Sequence, residues 1–354
     1  MTDELKHLRG QIDAIDDDIL RLVNQRASLA REIGELKGGG PIYRAEREAQ
    51  VLRRLQDANP GPLPAEAIVH LYTEIISACR SLEEMLSVAF LGPRGTFSEE
   101  AARKQFGGSA RPVPCSSIDE VFRQVEARQS GYGVVPVENS TEGAVGRTLD
   151  LLMSSPVQIC GEVLLPVHQC LMSKVASNEE IVRVYAHAQS LAQCHEWLNH
   201  HLPGAVRVPV VSNAEGARLA AQEQTSACIG SQFAAELYEL TVLAANIEDQ
   251  PNNTTRFVVI ADQTVAPSGR DKTSLVMSTR NRPGAMHELL APLAEGGVDM
   301  TRFESRPSRT GMWEYVFFVD IRGHQRDAQV ARALEQLRAR AAFLKILGSY
   351  PAAL

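Results

Sequence analysis

Residues 4–37 read ELKHLRGQIDAIDDDILRLVNQRASLAREIGELK, a stretch without proline and with glycine only at Gly10 and Gly34. The apolar residues Leu8, Ile12, Ile15, Ile19, Leu22, Leu29, Ile33 and Leu36 recur mostly at three- and four-residue steps. That spacing predicts one unbroken helix, Glu4 to Lys37, with an apolar seam along its length. A lone rod cannot bury such a seam, so a partner helix is expected. At about 100° per residue, Arg26 and Lys37 fall within roughly 20° of each other, whereas Arg9 is turned about 100° away and lies roughly 25 Å back along the axis. One small anion can touch Arg26 and Lys37 of one chain, and an antiparallel second copy would bring its Arg9 toward them. The competing reading is a solvated basic face on an amphipathic helix.

Outward from the rod, Gly38-Gly39-Gly40-Pro41 ends the helix, and two more helices are predicted, from about Arg44 to Ala58 and from Pro64 to Leu86, separated by Asn59-Pro60-Gly61-Pro62. Three helices of such unequal length make a poor globule but a good half of a helical dimer. At Val88 the pattern changes. Short apolar strands at 88–91, 133–136, 157–159, 182–185, 227–230 and 257–260 alternate with helical signals, among them a helix that Ser98 can cap. The alternation predicts an α/β sheet domain, long enough for two lobes and a cleft. Polar residues from Gln263 to Asp271 read as a linker. Beyond them the order is strand 273–277, helix 284–295, strands 298–305 and 313–321, helix 327–341 and strand 344–347, the split βαβ of the ferredoxin-like class. The expected domains are therefore 1–87, 88–263 and 272–351.

The 354 residues are 44% hydrophobic and 22% charged, as in globular chains. With a formal charge of −7 and no basic run longer than Arg53-Arg54, no nucleic acid partner is expected. The acidic start Met1-Thr2-Asp3-Glu4 is no secretory signal, and no run approaches the roughly 18 apolar residues of a membrane helix, so a cytoplasmic protein without membrane contact is expected. Six scattered cysteines read as free thiols. Cys194, His195, His200 and His201 enclose Trp197 and Leu198, which favours an amphipathic surface helix over zinc, and no metal is expected. Gly38-Gly39-Gly40 follows a helix and precedes no Lys-Ser/Thr, so it is no phosphate loop.

Leu8-Arg9, the Arg26 and Lys37 spacing and Arg47-Glu48 resemble the helical chorismate mutase domain. Phe90 to Ser98 (FLGPRGTFS), Val137 to Thr141 (VENST) and Asn253 to Phe257 (NTTRF) resemble prephenate dehydratase. Pro283-Gly284-Ala285 and Glu304-Ser305-Arg306-Pro307 resemble the ACT regulatory domain. The order is that of the bifunctional chorismate mutase/prephenate dehydratases of bacterial phenylalanine synthesis. The resemblance implies an all-α mutase domain in a dimeric helical bundle, a two-lobed α/β dehydratase domain like a periplasmic binding protein, and a ferredoxin-like α+β ACT domain. It implies a cofactor-independent isomerase and lyase, a homodimer or a tetramer, that turns chorismate into prephenate and then phenylpyruvate under L-phenylalanine inhibition. Arogenate as the dehydratase substrate, and a middle domain that only senses a ligand, stay open.

Chorismate rearranges intramolecularly, so its catalyst needs no nucleophile or metal, only a fixed conformer and stabilised charge. The resemblance assigns Arg26 to one carboxylate and Arg9 of the partner chain to the other, Lys37 to the ether oxygen and enolpyruvyl carboxylate, and Glu48 to the ring hydroxyl, with Arg44 and Arg47 nearby. Cys79 and Glu83 stand where the best-known bacterial pattern has Ser and Gln. Cys79 is either a weak substrate contact or a packing residue. A carboxylate donates only when protonated, so Glu83 is expected to be held neutral, or mutase activity to fall as pH rises; a solvated helix residue is the competing reading.

For the second reaction the resemblance makes Thr255 the donor to the departing hydroxyl, and Arg256 either a carboxylate anchor or a structural ion-pair partner. Glu138, Asn139, Ser140 and Thr141 should lie on a loop at a strand's carboxyl end, where Asn139 can donate to substrate. Phe257 completes the motif. His187 and Gln193 are carried over from a segment in which Ala186 and Ala188 replace the family's Ser and Pro. The Gly92 to Thr96 turn could present N–H groups to a carboxylate. For the sensor the resemblance implies phenylalanine between two ACT domains, held by Gly284, Ala285, Met286, Glu304, Ser305, Arg306 and Pro307.

Overall fold

In a computed structural model that describes residues 3–37, 41–280, 282–308 and 315–353, the first helix forms as its periodicity predicts: α1 runs Asp3–Lys37. The side chain of Lys37 lies outside the described residues, as do Gly38, Gly39, Gly40 and Trp313. α2 (Ala45–Asp57) and α3 (Ala65–Ser81) follow. α3 stops short of Leu86, because the chain turns at Leu82 and leaves Leu86 to pack in the next domain's core. Among the described residues, nothing covers most of the seam of α1. Leu8, Ile15, Leu29 and Ile33 each keep half or more of their surface exposed.

The middle domain begins with β1 (Ser87–Leu91), α4 (Phe97–Phe106), β2 (Arg111–Cys115), α5 (Ile118–Glu126), β3 (Tyr132–Asn139), β4 (Gly143–Ala144), α6 (Gly146–Ser154) and β5 (Gln158–Pro166). The chain then crosses into a second lobe of β6 (Cys170–Ser173), β7 (Arg183–His187), α7 (Ala188–Gln193), α8 (His195–His201), β8 (Val206–Val210), α9 (Asn213–Ala220), β9 (Ser226–Gly230), α10 (Gln232–Tyr238) and β10 (Thr241–Ala244). It returns as β11 (Thr254–Ala261), which inserts antiparallel between β3 and β5. The first sheet is ordered β2-β1-β3-β11-β5 with β4 beside β3, and the second β10-β6-β9-β7-β8. All six strands expected from apolar runs fall in these sheets. β2 escaped notice because it carries Pro112 and Pro114, tolerated there on an edge strand. Thr96, not Ser98, caps α4: its hydroxyl accepts from the Glu99 N–H.

The last domain is β12 (Asp271–Ser278), α11 (Ala285–Glu295), β13 (Met300–Pro307), β14 (Tyr315–Arg322), α12 (Ala328–Arg340) and β15 (Phe343–Pro351), an antiparallel sheet ordered β13-β14-β12-β15. One face packs on α11 and α12, and the other on the first lobe, where Val276, Phe318, Leu347 and Tyr350 share a core with Val258 and Ile260. Lys345 Nζ donates to the carbonyls of Leu152, Met153 and Ser155 at 2.9, 3.0 and 2.5 Å, closing the C-terminal end of α6. From the helical region, buried Arg53 donates to Ser268 Oγ and to the carbonyls of Arg270 and Ala352. Lys345 and Arg53 thus tie the last domain to both of the others.

Gly348 is the tightest of these approaches. A Cβ there would fall 2.1 Å from the carbonyl oxygen of Ile159 on β5. Gly348→Ala should therefore push the last domain off the first lobe, costing about 2 kcal/mol or more in stability, measured as a lowered denaturation midpoint.

Candidate active site

Two constellations form, one in each of the first two domains. In the helical region Arg26 of α1 and Glu48 of α2 face each other closely enough to interact, and Glu83, in the turn after α3, packs on α1 at Gly34. Glu83 lies half-buried against α1, its Cδ 2.7 Å from where a Gly34 side chain would start, so any side chain at Gly34 would displace the Glu83 carboxylate. Glu48 is bound by Arg80, whose Nη1 donates to Oε1 at 2.5 Å. Burial raises the Glu48 carboxyl above its ordinary range, while Arg80 and, more weakly, Arg26 pull it back. Arg44 and Arg47 are exposed, as is Arg9. Cys79 is buried in the helical core, which favours the packing reading. Arg80 was not singled out in the sequence, although an arginine beside the buried run Ile76-Ser77 and Cys79 was the available signal.

In the middle domain Asn139 ends β3 directly opposite Thr255 on β11. The Asn139 amide nitrogen donates to Thr255 Oγ1 at 2.8 Å and to Asn253 Oδ1 at 2.8 Å. Its oxygen accepts from the Thr141 N–H at 3.0 Å, the Thr141 hydroxyl at 2.6 Å and the Glu142 N–H at 3.2 Å. Two backbone donors on the oxygen settle which way the amide faces. Both Asn139 hydrogens are consequently in use, so the expected donation from Asn139 to substrate gives way to a hold on Thr255. With its oxygen accepting from Asn139, the buried Thr255 hydroxyl keeps its own hydrogen to donate elsewhere. Ser140 clamps the same loop: its N–H donates to the Thr254 carbonyl and its Oγ accepts from the Thr254 N–H, each at 2.9 Å.

Three expected substrate contacts are engaged elsewhere. Strand alternation turns Arg256 to the opposite face of β11. There its Nε donates to Glu162 at 2.9 Å, its Nη1 to Asp320 at 2.5 Å and its Nη2 to the Tyr350 hydroxyl at 2.9 Å. Burial opposes the guanidinium charge, but Tyr350, Asp320 and Glu162 outweigh it and hold the group above its ordinary value. Arg256 is a structural ion-pair partner joining the first lobe to the last domain. Glu138, opposite Arg256, lies on the same face with Arg302 Nε at 2.9 Å. Phe257 is buried in the core beside Tyr43 and Phe106. The Gly92–Thr96 turn is likewise spent internally, since the Gly95 N–H donates to Glu99 Oε2 at 2.7 Å and the Gly92 N–H to the Cys115 carbonyl at 2.8 Å.

Across the interlobe crossing, the Val167 N–H donates to the Asn253 carbonyl, and Gln169 follows two residues on. Its Nε2 reaches Ser190 Oγ at 3.2 Å and Gln193 Oε1 at 3.3 Å, and Asn213 Nδ2 donates to the same Ser190 hydroxyl at 2.8 Å. Gln169 Oε1 is buried without a hydrogen-bond partner. Gln193 thus enters a polar cluster at the hinge. Ala186 is buried in the lobe's core, and His187 is exposed at the start of α7, its N–H bonded to Asn213. In the last domain Gly284 and Ala285 open α11, with Gly284 at φ 77° and Met286 half-buried behind them. On β13, Glu304 and Arg306 alternate toward the first lobe, Arg306 Nη2 lying 3.5 Å from Asp150, while Ser305 and Pro307 are exposed.

The sequence matches the chorismate mutase type II family at residues 8–84, the prephenate dehydratase family at 88–265 and the ACT domain family at 273–339. It is 55% identical over 348 residues to the bifunctional chorismate mutase/prephenate dehydratase of Neisseria gonorrhoeae, covering 98% of this chain and 96% of the relative.

The chain belongs to the bifunctional chorismate mutase/prephenate dehydratase family.

The Pseudomonas aeruginosa member is 48% identical over 99% of this chain and 98% of its own. Among solved structures, prephenate dehydratase from Arthrobacter aurescens in complex with L-Phe is similar at a TM-score of 0.69 and 34% identity, covering 75% of this chain and 90% of that one. Within the family's dehydratase motif the geometry separates Thr255 from Arg256. Arg256→Met should leave Glu162 and Asp320 buried without their shared cation and cost about 3 kcal/mol, seen in denaturant unfolding. A raised KM for prephenate at unchanged stability would instead make Arg256 the substrate anchor.

Proposed function

We propose that the helical region rearranges chorismate to prephenate and that the middle domain converts prephenate to phenylpyruvate, with L-phenylalanine acting through the last domain. The domain limits we assign are 1–87, 88–263 and 272–351. The observation that carries the dehydratase reading is the Asn139–Thr255 hydrogen bond at the crossing between lobes. Prephenate loses its ring hydroxyl as water and its ring carboxylate as carbon dioxide, and the ring becomes aromatic. The difficult event is the departure of hydroxide, which a donor in a dry cleft eases. Thr255 is that donor, oriented by Asn139, while Gln193 and Gln169 line the second-lobe side.

In the mutase, Arg26 grips one carboxylate of chorismate and the partner subunit's Arg9 the other, each as a bidentate fork. Lys37 serves the ether oxygen, Glu48 accepts from the ring hydroxyl, and Glu83 donates to the ether oxygen when protonated. The uncovered seam of α1 supports a homodimer built on that helix. For the sensor, the N–H groups opening α11 suit an amino-acid carboxylate.

Ultraviolet detection of phenylpyruvate formed from chorismate tests the whole sequence of steps. Thr255→Ala should lower phenylpyruvate formation about a hundredfold or more while chorismate is consumed at the wild-type rate, and saturating L-phenylalanine should slow the dehydratase of the unmodified protein. Glu83→Gln, whose amide always carries a donor for the ether oxygen, should keep or raise the mutase rate, read as chorismate loss; a rate unchanged by both Glu83→Gln and Glu83→Ala removes Glu83 from the reaction.

A further inference from the structure

Glu48 and the dehydratase lobe are joined by a single side chain. Arg80 is buried at the end of α3, with one nitrogen, Nη1, on Glu48 Oε1 at 2.5 Å and the other, Nη2, on the carbonyl of Phe106 at 2.7 Å. Phe106 closes α4, which belongs to the dehydratase lobe. The guanidinium also lies over two rings, 5.3 Å from the centroid of Tyr43 and 5.9 Å from that of Phe106. Tyr43, Phe106 and Tyr132 form an aromatic trio with centroids 4.8 to 5.2 Å apart, and the Tyr43 hydroxyl accepts from Gln105 Nε2 at 2.6 Å.

We propose that Arg80 is a positioning residue of the mutase, holding the Glu48 carboxylate toward chorismate from a seat that the dehydratase lobe provides. This rests on Glu48 taking the ring hydroxyl, as read above. Arg80 engages Oε1, leaving Oε2 to accept from the substrate. The planar fork matters, because one group must reach a carboxylate and a carbonyl at once, which the single ammonium of lysine does not do in the same geometry. The seat itself is rigid. Gly107, at φ 72°, lets α3 approach so closely that a Cβ would fall 2.5 Å from Ser77 Cβ, and the Gly108 N–H donates to both carboxylate oxygens of Glu74.

Among the described residues, the groups facing Glu48 are Arg80 from α3, Arg26 from α1, and Tyr43 and Tyr132 across the aromatic trio. Of the two cations that the described residues set against Glu48, Arg80 exerts the larger pull, so its loss leaves burial more weakly opposed. Protonation of Glu48 then begins at higher pH. Because the ionised carboxylate is the form that accepts from the hydroxyl, the low-pH limb of the mutase profile moves up.

The test uses the full-length protein, with mutase followed as chorismate loss from about pH 5 to about pH 9 and dehydratase assayed on supplied prephenate in the same preparation. Arg80→Met should shift the low-pH limb upward by about one unit and lower mutase kcat/KM at neutral pH about tenfold, with dehydratase within about twofold of the unmodified protein. Arg80→Lys should restore the limb but leave the rate several-fold low. Glu48→Gln separates the two claims. If Glu48→Gln leaves mutase untouched, the placement of Glu48 in the site fails. If Glu48→Gln depresses mutase while Arg80→Met keeps the wild-type profile and rate, the role of Arg80 is overturned and the site stands. Should Arg80→Met lose both activities together, Arg80→Lys decides: a mutase deficit beside intact dehydratase supports the proposal, and full retention of both overturns it.

Discussion

The antiparallel insertion of β11 between β3 and β5 is the contact on which the rest of the molecule depends. It is the return crossing from the second lobe, so it fixes the hinge. It also carries two functions on its two faces, because side chains alternate along a strand. Thr255 faces Asn139 at the hinge, and Arg256, one residue later, faces the last domain.

Buried charge is the second organising theme. Arg53, Arg80 and Arg256 each sit between domains and each uses the guanidinium fork to satisfy more than one partner. Taking such a group from water is expensive unless every partner is in place, so these pairs favour one docked arrangement over others more than they add net stability. The acceptors lie far apart in sequence: Ser268 for Arg53, Phe106 for Arg80, Asp320 and Tyr350 for Arg256. The close approaches at Gly107 and Gly348 serve the same docking by removing side-chain bulk.

Much of the fold was legible before the structure. The long rod, the switch from helical to alternating pattern near Val88 and the split βαβ order all announce themselves through periodicity and breakers. β2 was hidden by its prolines, and the cap of α4 was misplaced by two residues because Thr96 and Ser98 are both good capping side chains. At the site, Thr255 and Asn139 were named, but their relation was not. The sequence offers Asn139 as a substrate donor, whereas in the fold both its hydrogens are committed to Asn253 and Thr255. For Arg256 the sequence leaves anchor and ion pair equally open, because it shows which face of a strand a residue occupies but not what lies against that face.

By itself, the sequence determined the three domains, their order and the residue types that can bind two carboxylates, ease the loss of a hydroxyl and open a helix toward an amino acid. These follow from local periodicity and from the chemistry of side chains, which travel with the residue. Only the tertiary structure decided that Arg256 and Glu138 turn toward the last domain, that Phe257 is buried in the core, that Asn139 binds Thr255, and that Arg80 reaches from the helical region into the next domain. Such assignments depend on partners distant in the chain, and on burial that makes a hydrogen bond or ion pair obligatory once water is gone.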